Sequence, residues 1–263
     1  MKLGIMGGIR ENDFIYAKEH DLKFIELCIN VGTETDDYPT VRADEANALV
    51  KKHGIYIGSV GRWGTSRLNP DGSFSANEFK NDKKLIEFAK KVGSPVYVFG
   101  CNRPADLDDA SAEAAAREYV AAIVEECGDG IAPALYNCDW NSFTWQTKLW
   151  DRWLEEFPTL GVKFDPSHSY YRGEDQYAVL REYVSRLKHF HAKGTIMIGG
   201  KRYDDPPAGL DDQNWRKIFG ILYAGKYSGG VTMEPHSGRW SDELGEWGKE
   251  FSINYIKQFI FDN

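Results

Sequence analysis

Eight short apolar runs alternate with eight amphipathic stretches along the whole chain, and that rhythm leaves few folds open. The apolar runs cover residues 3–6, 24–27, 56–60, 96–99, 132–136, 162–165, 187–191 and 231–234. The amphipathic stretches cover 12–20, 44–53, 77–92, 111–127, 147–157, 175–186, 214–224 and 241–259. Strands separated by helices of that length pair in parallel, because antiparallel neighbours are joined by short turns. No Pro/Gly/Ser-rich linker or break in composition divides the chain, so the expectation is one domain over residues 1–263. Eight strands and eight helices in a chain of this length predict a single (β/α)8 barrel of the α/β class. The competing doubly wound sheet would carry a glycine-rich phosphate turn after its first strand. The turn here, Gly7-Gly8-Ile9-Arg10-Glu11, lacks that pattern.

Local signals support the helices. Ser111 precedes Ala112-Glu113-Ala114-Ala115-Ala116, an expected N-cap followed by strong helix formers. Tyr119, Val120, Ile123 and Val124 recur at helical spacing and predict one buried stripe. Trp150 and Trp153, three apart on a helix, read as core.

The chemistry-bearing residues cluster where strands should stop. Phe164-Asp165-Pro166-Ser167-His168, His189-Phe190-His191-Ala192-Lys193 and Thr232-Met233-Glu234-Pro235-His236 end the sixth, seventh and eighth runs. In a barrel of this kind the working face lies at the C-terminal ends of the strands. Neighbouring strands lie about 4.8 Å apart, so Asp165, His191 and Glu234 can share one ion through bonds of about 2.0–2.2 Å. Two carboxylates and an imidazole suit Zn²⁺, Mn²⁺, Mg²⁺ or Co²⁺ and not a thiolate-selected metal. The reading is one divalent metal ion per chain.

Charge narrows the partners. A net charge of −8 and a pI near 5.3 lack the positive footprint that a nucleic-acid backbone requires. A phosphodiesterase of the barrel-type apurinic endonuclease kind would want a richer metal cluster and a basic surface, and the chain has six His. Four cysteines without CxxC spacing, no apolar run near eighteen residues and no secretory leader point to a reduced, cytoplasmic protein away from membranes.

The segments at 3–5, 23–27, 161–168, 189–193 and 229–234, with Gly209, Trp215, Ile218 and Leu222, resemble the sugar-phosphate isomerase/epimerase family of xylose isomerase-like TIM barrels. That group includes ketose 3-epimerases, hydroxypyruvate isomerase and inosose dehydratase. The resemblance implies Asp165, His191 and Glu234 as metal ligands and His168 as a substrate contact and second catalytic group. It further implies Lys193 and Arg202 as substrate-side cations, although Gly194 stands where the family has an Asp. Glu26, ending the second run, and Trp63, in the loop after the third, are further candidate substrate contacts. Trp140 and Trp240 lie in loops of the same face. The implied reaction is proton abstraction next to a carbonyl through a metal-stabilised enediolate, by an isomerase or epimerase of carbohydrate metabolism. The substrate would be a sugar or sugar phosphate, and a homo-oligomer is compatible with the family.

One departure bears on that mechanism. The family's fifth strand ends in a glutamate that is both ligand and base. Here the segment reads Ala134-Leu135-Tyr136-Asn137-Cys138-Asp139, and a phenol with a pKa near 10 is a poor replacement. Tyr136, Cys138, Asp139, water or substrate remain as occupants of the fourth position. A metal-poor sugar-binding barrel and a lyase or dehydratase of the same family stand as alternatives.

Overall fold

The alternation of strand and helix resolves into a closed eight-stranded parallel barrel wrapped by helices. The computed structural model describes residues 1–234, 236–240 and 242–261. Its barrel strands are β1 (Lys2–Gly7), β2 (Phe24–Cys28), β3 (Tyr56–Gly61), β4 (Val96–Phe99), β5 (Ala132–Tyr136), β6 (Gly161–Phe164), β7 (Leu187–Ala192) and β10 (Gly230–Met233). They follow one another around the barrel, and β10 closes on β1 with Lys2 opposite Gly230 and Ile5 opposite Met233. The shell contains α1 (Glu11–Glu19), α2 (Ala43–His53), α3 (Ala76–Lys91), α4 (Asp109–Cys127), α5 (Thr147–Glu156), α6 (Pro166–Tyr171), α7 (Gln176–Tyr183), α8 (Trp215–Ala224) and α9 (Asp242–Lys257). The predicted barrel is therefore observed. No helix among the described residues is long and apolar enough to cross a membrane.

Three local expectations need correction. The cap of α4 is Asp108, whose carboxylate accepts from Ala110 and Ser111 N–H; Ser111 lies inside the helix and donates its hydroxyl to Asp108. The sixth strand stops at Phe164, because Asp165 leaves the ladder to cap the short helix α6, with Pro166 in the first turn. An antiparallel hairpin, β8 (Ile196–Ile198) with β9 (Lys201–Asp204), stands outside the barrel after β7. Its turn is Gly199-Gly200, both at positive φ, the two-residue glycine turn that matches strand twist. The expected start of the last helix at Ser241, and Pro235 after Glu234, lie outside the described residues.

Most strand faces that point outward pack against the helices in one large apolar core, which includes Trp150, Trp153, Tyr119, Val120 and Ile123 as expected. The barrel interior is divided. Its base is closed by Phe24, whose ring lies where a side chain on Gly4 or Gly58 would sit, 2.4 and 2.2 Å from an added Cβ. Above it, Val96, Val98, Ala134, Tyr136, Cys138 and Trp63 form an apolar cluster on the β3–β5 side. Glu26, Ser59, Lys163, His189, His191 and Thr232 fill the β6–β7–β10–β2 side and the centre, all buried.

A second buried charge pair joins barrel to shell. Arg67, in the loop after β3, makes a two-pronged contact with Asp82 of α3 at 2.7 and 3.0 Å, and donates to Gly100 O at 2.6 Å. Tyr97 of β4 and Tyr119 of α4 each donate a hydroxyl to Asp82 at 2.6 Å. With every group fully buried, removal of one partner leaves an uncompensated charge. Asp82→Ala is expected to destabilise by about 3–5 kcal/mol in denaturant unfolding; a loss below about 1 kcal/mol would assign this cluster no more than a surface pair's worth.

Candidate active site

The C-terminal ends of β6, β7 and β10 bring three metal-type donors together. Asp165, His191 and Glu234 each offer an atom within 4.8 Å of the others. His191 points inward from β7, while Asp165 and Glu234 lie one residue beyond their strands. Asp165 divides its carboxylate: Oδ1 accepts from Ser167 N at 2.9 Å and Ser167 Oγ at 2.7 Å. Buried Oδ2 accepts no hydrogen bond but has Lys193 Nζ at 3.2 Å and His168 Nε2 at 3.4 Å. One oxygen thus folds the chain and the other faces the site. A buried carboxylate oxygen that accepts no hydrogen bond, beside a second carboxylate and an imidazole, fits a divalent cation, with Lys193 as its present counter-charge.

The order of the site comes from below. Glu26 is fully buried, with both oxygens 2.8–2.9 Å from His191 Nε2 and Oε2 at 2.7 Å from His189 Nε2. His189 Nε2 also lies 2.7 Å from Thr232 Oγ1. On its other edge, His191 Nδ1 is 2.6 Å from Glu234 Oε2. Burial disfavours the charged ring of His191, yet Glu26 and Glu234 outweigh it and raise the pKa. His191 faces a carboxylate at each ring nitrogen, Glu234 at Nδ1 and Glu26 at Nε2, and either can accept an N–H from the ring. A metal at Nδ1 would displace one proton and leave Nε2–H on Glu26, the carboxylate–histidine arrangement that fixes a ligating ring. Glu26, expected among the substrate contacts, has both oxygens engaged by buried His189 and His191.

The remaining residues line a cavity of about 420 Å³ bounded by Trp63, Lys163, His168, Arg202, Glu234 and His236 among others. Burial would raise the pKa of Glu234, but Lys193 and His191 hold its carboxyl well below the usual range. Burial and then the Lys193 ammonium, 3.3 Å away, keep His168 neutral by pushing its pKa well down. Burial also works against the Lys193 ammonium, but Asp165 and Glu234 overcome it and raise its pKa. Arg202 reaches the mouth on β9, pairs with Asp205 and lies 5.0 Å over the Tyr171 ring. Trp63 is nearly buried and stacks on Tyr136 at 5.7 Å. Trp140 lines the same cavity, and Trp240 lines a neighbouring pocket with Glu234.

Tyr136 does not supply the missing ligand. Its ring ends against Gly100, where an added Cβ would lie 2.6 Å away, and its hydroxyl is buried without a partner. Cys138 and Asp139 group with His168 and not with the other three donors. Burial pushes the Cys138 thiol up, away from the thiolate a metal would take. Two interior residues were given no role from sequence, His189 and Lys163, although His189 alternates with His191 on one strand face. Each lies two positions before a recognised residue, His191 and Asp165, and the period of two was a signal for both.

A family model described as xylose isomerase-like TIM barrel matches residues 14–254. The uncharacterized protein YfiH of Bacillus subtilis (strain 168) is 27% identical over 123 residues, 39% of this chain and 38% of that protein. The aligned region thus spans well under half of that relative's length. Among solved structures, the 3-keto-D-glucoside 4-epimerase YcjR of E. coli superposes with a TM-score of 0.73 at 15% identity, covering 98% of this chain and 99% of that one. The D-allulose 3-epimerase of Methylomonas sp. gives 0.77 at 14% identity, covering 99% and 98%. At such identity these likenesses carry the fold alone.

His168 provides a test of the site's electrostatics. Its folded pKa lies below the unfolded value near 6.5, so below that pH the unfolded chain binds a proton that the folded one refuses. Its contribution to stability is therefore lost as pH falls through about 6.5. Metal-free His168→Asn should lose less denaturation midpoint than wild type between about pH 7.5 and 5.5; equal losses would mean that the imidazole is not held neutral.

Proposed function

The chain belongs to the xylose isomerase-like TIM barrel family, and on that premise we propose that it is a metal-dependent epimerase or isomerase of ketose-type sugars. The observation that carries this reading is the convergence of Asp165, His191 and Glu234 within 4.8 Å at the floor of a sugar-sized cavity. YcjR and the D-allulose enzyme, both sugar epimerases with the same barrel, support sugars as the substrate class. A small-molecule sugar or sugar phosphate is the proposed partner.

In this reading Asp165, His191 and Glu234 hold one divalent ion. The ion would act as a Lewis acid toward the carbonyl and the adjacent hydroxyl of the sugar. Glu234 is ionised at neutral pH and forms part of the cavity wall, so it is placed to take the proton from the carbon beside the carbonyl. Lys193 holds Asp165 in its charged form and keeps His168 neutral. A neutral imidazole can hold a sugar hydroxyl as donor or acceptor, and His168 is the proposed partner of Glu234 across the ring or chain of the substrate. Trp63 and Arg202 both line the cavity.

With Tyr136 turned toward Gly100, proton return on the second face would fall to a group other than a fifth-strand carboxylate. That observation favours a 1,2-shift of the carbonyl, in which one face suffices, over the two-base inversion of an epimerase. It also lends some weight to a second reading, a sugar-binding barrel without turnover.

Incubation of the Mn²⁺-loaded protein with a panel of ketohexoses and aldohexoses in D₂O tests the proposal. Deuterium is expected at the carbon next to the carbonyl of at least one sugar, read by NMR. Glu234→Gln should lower the rate about 10²–10⁴-fold, and His191→Ala should lose the bound metal by elemental analysis. Absence of metal uptake by the wild type would remove the enzyme reading; metal uptake with ligand binding but no exchange would leave the binding barrel.

A further inference from the structure

Lys163 is a buried lysine in the middle of the site with no assigned task. Strand β6 alternates, so Lys163 shares the inward face with Asp165, and in the ladder it stands opposite Tyr136 on one side and His189 on the other. The residue is 2% exposed, and its side chain lines the cavity with Cys28, Cys138, His191 and Glu234. Among the described residues its ammonium has no hydrogen bond and no ion pair. The other cations nearby are engaged: Lys193 by Asp165, and Arg202 by Asp205.

The Lys163 ammonium borders the open cavity and hydrogen-bonds to no carboxylate among the described residues, so its N–H donors are left for whatever fills the cavity. A fold that retains such an ammonium at the floor of an open cavity has a site that is completed by a ligand. The charge of Lys163 also acts on Cys28, Glu234, His191 and His168, in keeping with a central position. If Asp165, His191 and Glu234 carry a divalent ion, their own charge is met, and the positive charge of Lys163 remains for whatever lies above it.

We propose that Lys163 is an anion contact of this site, a direct partner for the substrate oxygen on which negative charge develops. This rests on the reading that Glu234 takes a proton from the carbon beside the carbonyl. As that C–H bond breaks, the proton goes to the Glu234 carboxylate. The C–H electron pair forms the new carbon–carbon double bond, and the carbonyl π pair moves onto oxygen. Lys163 donates N–H to that oxygen from β6, beside Tyr136 in the ladder. It thereby offers electrostatic stabilisation where the charge appears, next to the strand position that a phenol has taken from the usual carboxylate. No covalent bond to the lysine is involved, and no co-reactant is required.

The test separates this proposal from the activity. Binding of glycolate, an anion, and glycolamide, its neutral isostere, is measured by calorimetry on Mn²⁺-loaded wild type, Lys163→Met, Lys163→Gln and Lys163→Arg. Metal content and thermal melting are checked for each. Wild type should prefer glycolate, and Lys163→Met should lose about 10- to 100-fold in glycolate affinity, the worth of one hydrogen bond to a charged group. Glycolamide affinity and metal content should stay level, and Lys163→Arg should recover part of the loss. Lys163→Gln serves the same purpose if the Met variant does not fold. Undiminished glycolate affinity in a folded, metal-loaded Met or Gln variant overturns the proposal. A loss of glycolate binding in a protein that never exchanges deuterium with any sugar supports the anion contact and counts against the enzyme reading alone.

Discussion

A carboxylate with no route to solvent organises the interior of this barrel. Glu26 sits below the site with its charge shared between His189 and His191. Burial alone would drive it to take up a proton; the two imidazoles reverse that and hold it ionised. Because one of its partners is also the imidazole that meets Glu234, the orientation of the His191 ring is held from both edges. Strand β2 thereby contributes to a site whose visible donors come from β6, β7 and β10. Pairing a buried charge in this way is weak evidence for added stability, since desolvation offsets much of the attraction. Its return is geometric: it places one nitrogen at the rim and leaves the ring no other stable orientation.

The barrel was legible because eight apolar runs and eight amphipathic ones leave little choice of topology, and the closed strand order bears that out. The donors Asp165, His191 and Glu234 were legible because strand ends in parallel barrels converge. What escaped notice was set by local competition and by depth. Asp165 reads as a strand residue, yet a following Pro and Ser make it a better helix cap, and the strand ends one position early. The hairpin at β8 and β9 is short and half polar, and the Gly199-Gly200 turn was its one clear mark. Glu26 is legible as an inward residue, but sequence does not show how far below the mouth it lies or that His189 and His191 engage it. Lys163 carries no sequence signal of its own depth; the tertiary fold is what shows it buried.

The division of the interior explains what becomes of the fifth-strand position. On the β3–β5 side the barrel is packed with Val, Ala and aromatic groups. A carboxylate at residue 136 would enter an apolar neighbourhood with few donors, whereas a ring stacks on Trp63. The charged side of the barrel lies across β6, β7, β10 and β2, and its cations and anions are arranged around one another. Polar and charged side chains are thus gathered on one half of the strands, with the other half a dry, apolar backing.

The clamp of Arg67 on Asp82 has a consequence for how such a protein diversifies. It ties the loop that bears Trp63 to the helical shell through β4, α3 and α4. The part of the wall with Arg202 belongs to a two-stranded hairpin outside the barrel. One jaw is welded to the scaffold and the other is an appendage. Changes of length or sequence in the hairpin can reshape the mouth without disturbing the core, whereas changes in the loop with Trp63 must pass through a buried ion pair. A change in what the mouth admits would therefore be written on the hairpin.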